Sequence, residues 1–210
     1  YAWKACALGQ GLFRGYLEED FNTVWKQAED NLKKARELNE NDFEVHRLMS
    51  EVSLAMKDFR AAQRHSKICY EQVPNDPRVL SVYGEVCLRT GKVDEGLDAV
   101  KLALEIDPVA QGKTNADPRH AAVIFGYYMA RDKEGCLEQI NNLEEIDFKS
   151  WLLTTKICRD EEHEFLNLDW FQEGKKLFSD KDFEKEVQDF RLNNDSATET
   201  LISFAKELFN

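Results

Sequence analysis

The residues best placed by type and spacing to do chemistry are His65 and Cys69. Four positions apart on a helix, an imidazole and a thiolate could bind one metal ion. The alternative is a structural thiol, because an internal repeat of the sequence places Cys69 at a small, buried position. The chain has five cysteines and no CxxC spacing, which indicates reduced thiols in a cytoplasmic protein rather than zinc ligands or disulfides. We therefore expect no metal site.

Two short stretches resemble chemical sites but lack the context that such sites need. Residues 161–164 (EEHE) resemble a ligand cluster, but adjacent residues on a helix point in different directions, so a solvated charged face is expected. Gly112, Lys113 and Thr114 resemble the end of a phosphate-binding P-loop, but Asp107 stands where its first glycine is required. No nucleophile–base pair occurs at helical spacing. We therefore expect neither a catalytic residue nor a cofactor, and this chain is not predicted to be an enzyme.

The net charge of the chain argues against nucleic acids and anionic membranes as partners. The 210 residues carry a formal net charge of −12, whereas binding to nucleic acid or to an anionic membrane requires clustered Lys and Arg. No apolar run approaches the ~20 residues of a membrane span. The first residue is Tyr1, inside a helical pattern, so we expect the chain to be part of a longer protein. A protein or peptide is the expected partner.

An internal repeat of 34 residues is the strongest pattern in the sequence. Pro74 and Pro108 are separated by this distance. Small residues recur at the same interval: Ser50 and Gly84, Ala62 and Gly96, Cys69 and Ala103, with Ala28 and Ala35 one period earlier. This period predicts tetratricopeptide repeats (TPR), each a pair of packed helices. The predicted fold is an all-α TPR-type solenoid of about four to five helix pairs with C-terminal capping helices.

The register divides residues 1–148 into four TPR-like units. They cover 1–39, 43–74, 77–108 and 118–148. In unit one, extra residues around 15–21 separate the helices 1–13 and 23–39. In unit four, Gly126 takes the small position of Gly84, and a second helix is expected at 134–145.

A degenerate C-terminal part is predicted at 149–210. It comprises a fifth helix pair at 149–159 and 161–177, a short helix at 180–192, and a last helix at 196–209. Ser196 and Glu199 have the spacing of a capping box at the start of the last helix. Its apolar residues Leu201, Phe204 and Leu208 leave two alternatives open. The helix either folds back as a cap or presents its apolar stripe to a second copy, as a homodimer, or to another partner.

Several segments resemble the C-terminal TPR region of bacterial class III adenylate/guanylate cyclases. They are YAWKACALGQ at 1–10, NDFEVHRL at 41–48, PNDPR at 74–78, GKVDEG at 91–96 and FSDKDFEKEVQDFRL at 178–192. No part resembles the cyclase catalytic domain, and the last helix departs from the pattern. The resemblance implies a non-catalytic interaction or scaffold region of a larger bacterial signalling protein. The alternatives are a homo-oligomerisation module acting through the last helix and a stand-alone adaptor.

In such a solenoid the first helices of successive units line a groove that binds peptides. The predicted groove residues are Glu44, Arg47 and Glu51 of unit two, Arg78, Glu85 and Arg89 of unit three, and Tyr127 and Arg131 of unit four. The alternative is an ordinary solvated face. Because Arg89 is expected on the proposed groove, Arg89→Ala should leave stability almost unchanged. Gly84→Leu should cost about 2–3 kcal/mol by overpacking a helix contact.

Overall fold

The computed structural model describes residues 1–13 and 19–209, and the inserted segment predicted at 15–21 lies partly outside them. Twelve helices are found in these described ranges, and they pack mainly as sequential pairs. This confirms an all-α protein, and the contacts between neighbouring helices are consistent with helical hairpins. The chain divides into two compact units, unit 1 at Tyr1–Asn75 and unit 2 at Asp76–Asn210.

Unit 1 consists of two helix pairs. Its helices are α1 (Ala2–Phe13), α2 (Phe21–Leu38), α3 (Phe43–Ala55) and α4 (Phe59–Gln72). Aspartates start three of them: the carboxylates of Asp20, Asp42 and Asp58 accept hydrogen bonds from the first free amides of α2, α3 and α4. Lys57 adopts a left-handed conformation (φ 57°) in the turn between α3 and α4.

Unit 2 contains the other eight helices. They are α5 (Pro77–Arg89), α6 (Val93–Ile106), α7 (Asp117–Ala130), α8 (Lys133–Ile140), α9 (Phe148–Asp160), α10 (Asp169–Leu177), α11 (Phe183–Gln188) and α12 (Asp195–Phe209). Trp151 of α9 is fully buried at the centre of the aromatic core. Its indole N–H donates to the carbonyl of Phe171 at 3.1 Å, so burial leaves no unpaired donor on this ring. Gly174 of α10 gives the indole the space that a Cβ would fill.

The last helix folds back onto unit 2. Leu201, Phe204 and Leu208 of α12 are buried, and α12 contacts α9 and α11. The ring of Phe209 lies 5.6 Å from that of Trp151, centroid to centroid. The apolar stripe is therefore covered by the same chain, as the first of the two alternatives predicts.

Several predicted helix ends differ from the structure. The helix predicted at 134–145 ends at Ile140, because Asp117 accepts the amide hydrogen bonds of Glu144 and Glu145 and holds them outside a helix. The helix predicted from 161 begins at Asp169, after Glu162 in a left-handed conformation (φ 54°). The helix predicted at 180–192 spans only Phe183–Gln188.

The capping box predicted at the last helix is wrong. The side chain of Asn194, two residues earlier than Ser196, accepts from the amide of Ala197 at 3.2 Å. The carbonyl of Asn194 also accepts from the amide of Thr198 at 3.1 Å. Asn194 therefore starts α12, which is an N-cap function that asparagine performs as well as serine.

The register of the 34-residue repeat agrees with the packing of the second and third helix pairs. All six small positions are buried: Ser50, Ala62, Cys69, Gly84, Gly96 and Ala103. The Ser50 hydroxyl donates to the carbonyl of Ala62 at 3.1 Å, so these two residues lie in contact within the α3–α4 pair.

The register predicted for unit four is shifted by three residues. A Cβ on Gly96 would contact Leu88, and a Cβ on Gly135 would contact the ring of Tyr127, eight residues earlier in both cases. Tyr127 therefore takes the packing position of Leu88, not the predicted groove position of Glu85. Gly126 faces Leu97 of α6 rather than α8.

Candidate functional site

The candidates of unit 1 form a closed network of charges on α3. Arg47 is buried, and its Nε donates to Glu44 at 3.2 Å while its Nη1 lies 2.6 Å from a carboxylate oxygen of Glu51. Burial alone would lower the pKa of Arg47, but the hydrogen bond to Glu44 and the charges of Glu51 and Glu44 raise it above its ordinary value. Glu44 is buried as well, while Glu51 keeps 43% of its side-chain surface. Arg47 thus pairs with two carboxylates, so the network has no cation left over for an acidic ligand.

The same helix pair contains two histidines in direct contact. Nδ1 of His46 lies 2.8 Å from Nδ1 of His65, and both rings are buried. Nε2 of His65 lies 3.3 Å from a guanidinium nitrogen of Arg64. Because arginine only donates, Nε2 of His65 accepts the hydrogen bond from Arg64. The ring proton of His65 is therefore on Nδ1, which donates to Nδ1 of His46. The geometry therefore requires both rings to be neutral.

Cys69 is a structural thiol in this arrangement. It is fully buried, and its Sγ donates to the carbonyl of Ser66 at 3.1 Å. Burial raises the pKa of the Cys69 thiol to about 12, which disfavours the thiolate that a metal requires. Within the described ranges, no three His, Cys, Asp or Glu side chains come together as a possible metal site.

In unit 2, two of the predicted groove residues lie in a mixed charged and aromatic cluster. We name it the α5–α9 site, after the helices that bound it. It comprises Glu85 and Arg89 of α5, Phe125 of α7, Lys149 of α9, and the segment Phe190 and Arg191 that follows α11. Arg89 Cζ lies 4.7 Å and Lys149 Nζ 4.1 Å from the centre of the Phe125 ring. The two cations thus share one aromatic ring.

Arg89 is the anchor of the α5–α9 site. Its Nη2 donates to the carbonyl of Phe190 at 3.1 Å, across 101 positions of sequence. Its Nη1 lies 3.4 Å from a carboxylate oxygen of Glu85, and its Nε has no hydrogen-bond partner among the described residues. Only 5% of the side-chain surface is exposed. The expectation of a solvated Arg89 is therefore wrong, because the segment after α11 covers it.

The electrostatics of the α5–α9 site favour negative charge. Burial would raise the pKa of Glu85, but the charges on Arg89, Lys149 and Arg191 hold it below its ordinary value. Burial, followed by the charges of Arg89 and Arg191, lowers the pKa of Lys149 to about 8, although Glu85 and Asp147 act in the opposite direction. Arg89, Lys149 and Arg191 therefore all face Glu85, and the carboxylate of Asp147 also faces Lys149.

The chain's own segment after α11 forms one wall of this site. The Phe190 ring lies 6.1 Å from that of Phe148 and 6.0 Å from Lys149 Nζ. Arg191 adopts a left-handed conformation (φ 54°) that ends the turn after α11. Phe190 is buried, whereas Glu85, Lys149 and Arg191 are half-buried and reach the surface. The accessible part of the site is therefore polar and the buried part aromatic.

The remaining predicted residues do not join this site. Arg78 pairs with Asp76, the residue that caps α5, at 2.6 Å. Tyr127 covers Gly135 within the α7–α8 pair. Arg131 ends α7 in a left-handed conformation (φ 59°), and its exposed guanidinium lies 3.6 Å from Asp160. The peptide-binding role predicted for these three residues has no support from their contacts.

Sequence reasoning missed four of the six residues of the α5–α9 site. Phe125 and Lys149 stand outside the predicted groove positions, and Phe190 and Arg191 lie in a segment with no repeat of its own. The signals at 178–192 were a short predicted helix and a resemblance to the tail of cyclase TPR regions, and neither pointed to this site. No helix of the described residues is long and apolar enough to cross a membrane. No protein-family model matches the sequence, and no curated protein matches it, so no family is identified.

Proposed function

We propose that this chain is a TPR-type interaction module that binds a peptide segment of a protein partner at the α5–α9 site. The observation that supports this most directly is the contact between Arg89 and the carbonyl of Phe190. Arg89 lies on the first helix of its pair, at a position that the repeat assigns to the groove. Its acceptor belongs to a distant, non-helical segment of the chain. Arg89 is buried by this contact, so a partner peptide would bind beside it, at the half-buried Glu85, Lys149 and Arg191.

The composition of the site favours a peptide over a small metabolite. Phe125 is fully buried beneath Lys149, and Lys149 and Glu85 supply polar groups at an open edge. The partner segment would lie along the wall formed by Phe190 and Arg191. Binding at an open edge leaves the buried ring of Phe190 in place, so no part of the core has to be displaced.

We also propose what kind of larger protein contains this chain. The resemblance to cyclase TPR regions favours a non-catalytic scaffold within a bacterial signalling protein, whose activity would be carried by another domain. Burial of the α12 stripe within unit 2 argues against homo-oligomerisation through that helix. A peptide-binding site on unit 2 is the interaction surface that the described side chains support best.

The test is a selection of peptides followed by a local readout. A phage-displayed library of random seven-residue peptides is selected on the purified chain, and the selected peptides are titrated into ¹⁵N-arginine-labelled protein. The Nε–H resonance of Arg89 should shift on titration. That of Arg119, another buried arginine of unit 2 that binds the carbonyls of Pro77 and Asp107, should not shift. Selected peptides that leave the Arg89 resonance unchanged would contradict binding at this site.

A further inference from the structure

The side-chain nitrogen of Lys149 contacts aromatic rings rather than a carboxylate. Nζ lies 4.1 Å from the centre of the Phe125 ring and 6.0 Å from that of Phe190. Within the described part of the chain it has no ion pair and no hydrogen bond, so the carboxylates of Glu85 and Asp147 act on it only from beyond ion-pair distance. A ring face stabilises an ammonium group less than an adjacent carboxylate does, because only the ring quadrupole attracts it. The charged form of this lysine is therefore weakly stabilised.

The neutral amine of Lys149 is more populated than that of an ordinary lysine. Burial, followed by the charge of Arg89, lowers the pKa of Lys149 to about 8. Arg191 acts in the same direction, and Glu85 and Asp147 oppose both. At pH 8, about half of the side chains are thus free amines, against less than about 1% for a lysine with the ordinary pKa of about 10.4. A free amine is a nucleophile, and desolvation is one way in which proteins activate a lysine.

Arg89 contributes an unpaired donor to the same site. Its Cζ lies 4.7 Å from the centre of the Phe125 ring, which Lys149 Nζ also contacts. Arg89 Nε is buried and has no acceptor among the described residues, whereas its other two nitrogens bind the Phe190 carbonyl and Glu85. A buried donor without an acceptor is destabilising, so an anionic oxygen beside it is favoured. A partner peptide would have to displace the segment after α11 to reach Arg89, but a small group attached to Lys149 would not.

We propose that Lys149 is a modification site that takes up carbon dioxide as a carbamate, and that Arg89 binds the carbamate oxygens. The lone pair of Nζ attacks the carbon of CO2 and forms an N–C bond. One C–O π bond opens and places a negative charge on oxygen, one N–H proton passes to water, and nothing is oxidised or reduced. CO2 is small and uncharged, so it can approach a half-buried amine between two rings. Glu85 and Asp147 oppose the new negative charge, but the charge of Arg89 acts on this nitrogen more strongly than either.

This modification does not depend on the proposed peptide binding. It needs only the amine of Lys149, the guanidinium of Arg89 and dissolved CO2, and its test uses no peptide. Its effect on a bound partner does rest on the proposed function. A carbamate would replace a positive charge by a negative one at the open edge where the partner segment would lie.

Chemical trapping on the unaltered chain tests the reaction. The full chain is equilibrated with ¹³C-labelled bicarbonate at about pH 8 and treated with triethyloxonium, which converts a carbamate into a stable ethyl ester that mass spectrometry can locate. Lys156 is the internal control, because it also lies on α9 and contacts a ring, that of Phe204 at 5.4 Å, but is paired with Asp160. We expect the yield of labelled ester on Lys149 to be at least about tenfold that on Lys156. Equal yields on the two lysines, or no ester on Lys149, would overturn the proposal.

A substitution at Arg89 tests the binding of the carbamate. Arg89→Lys keeps a positive charge but removes the Nε donor, and should lower the yield on Lys149 about fivefold or more. Arg131→Lys is the matched control, because the side chain of Arg131 is 74% exposed, and it should leave the yield unchanged. Circular dichroism shows whether each variant is folded, and a full yield on Lys149 in folded Arg89→Lys would overturn the role of Arg89. If Arg89→Lys does not fold, the comparison of Lys149 with Lys156 in the unaltered chain still decides.

Discussion

Gly84 of α5 and Gly96 of α6 face each other so closely that a Cβ on either would lie 2.9 Å from the backbone oxygen of the other. A contact with backbone cannot be relieved by a side-chain rotation, so the two helices would have to move apart. We expect Gly84→Ala to lower the free energy of unfolding by about 1–3 kcal/mol and Gly84→Leu to lower it further. Chemical denaturation followed by circular dichroism measures the change.

Gly9 provides the control for this prediction. It lies in α1, and no heavy atom would be found within 4 Å of a Cβ built on it. Gly9→Ala should therefore raise stability by about 0.5–1 kcal/mol through helix propensity alone. Equal destabilisation by Gly84→Ala and Gly9→Ala would contradict the close approach of α5 and α6.

Arg89 is expected to be a stabilising residue, contrary to the expectation from sequence. Arg89→Ala removes the donor to the Phe190 carbonyl and leaves Glu85 without its ion-pair partner beside a buried ring. We expect a loss of about 2–4 kcal/mol, measured by denaturant unfolding. Arg131→Ala is the control, because 74% of the Arg131 side chain is exposed, and it should change stability by less than about 0.5 kcal/mol. Equal, small effects would show that the segment after α11 does not cover Arg89.

The pair of His46 and His65 makes unit 1 sensitive to pH. Burial, followed by the charges of His46 and Arg64, lowers the pKa of His65 to about 4, and burial lowers that of His46. Arg36 opposes protonation of both rings, and Asp42 and Asp58 favour it too weakly to offset burial. Because the unfolded state binds protons first, stability is fully present above about pH 6.5 and falls as the pH falls towards 4. The loss is on the order of 3 kcal/mol.

Hydrogen exchange of α3 and α4, corrected for the intrinsic rate at each pH, measures this loss locally. The double variant His46→Gln/His65→Gln should remove the pH dependence between pH 4 and 6.5. His163→Gln, in the turn after α9, should retain it. Protection of α3 and α4 that is the same at pH 4.5 and 7.5 in the unaltered chain would contradict a neutral, buried histidine pair.

The structure places the N-cap of α12 at Asn194, whereas the sequence pattern predicted it at Ser196. Asn194→Ala should cost about 1 kcal/mol, because the amide of Ala197 loses its side-chain acceptor. Ser196→Ala should cost little, because the hydrogen bond that Ser196 accepts from Thr200 uses its backbone carbonyl. Thermal unfolding of the two variants gives the comparison. A larger loss of stability for Ser196→Ala than for Asn194→Ala would contradict the N-cap at Asn194.

The helix pairs were predictable where the repeat is regular. Small residues at 34-residue spacing located the contacts of α3 with α4 and of α5 with α6, because close helix approach requires them at fixed positions. Unit four was misread because the segment 109–117 lengthens the spacing and Gly126 imitates the small position. Gly135 beneath Tyr127 reveals the true register only in three dimensions.

The α5–α9 site was predictable only in part, for a different reason. Glu85 and Arg89 follow from the repeat, since groove positions recur with it. Lys149 lies in a helix and Phe190 in a non-helical segment, both beyond the regular repeats. No local spacing links them to Arg89 over 60 to 101 positions. A hydrogen bond from a buried arginine to a carbonyl 101 positions away produces no periodic pattern in a single sequence.

The most direct test of the account is to locate where a bound peptide lies. A library-selected peptide carrying a benzoylphenylalanine group is photo-crosslinked to the full chain, and the linked residues are identified by mass spectrometry. We predict crosslinks to α5, α7 and α9 around Arg89, Phe125 and Lys149, and to the segment after α11. Crosslinks confined to α3, around Glu44 and Glu51, would place peptide binding in unit 1 and contradict the central claim.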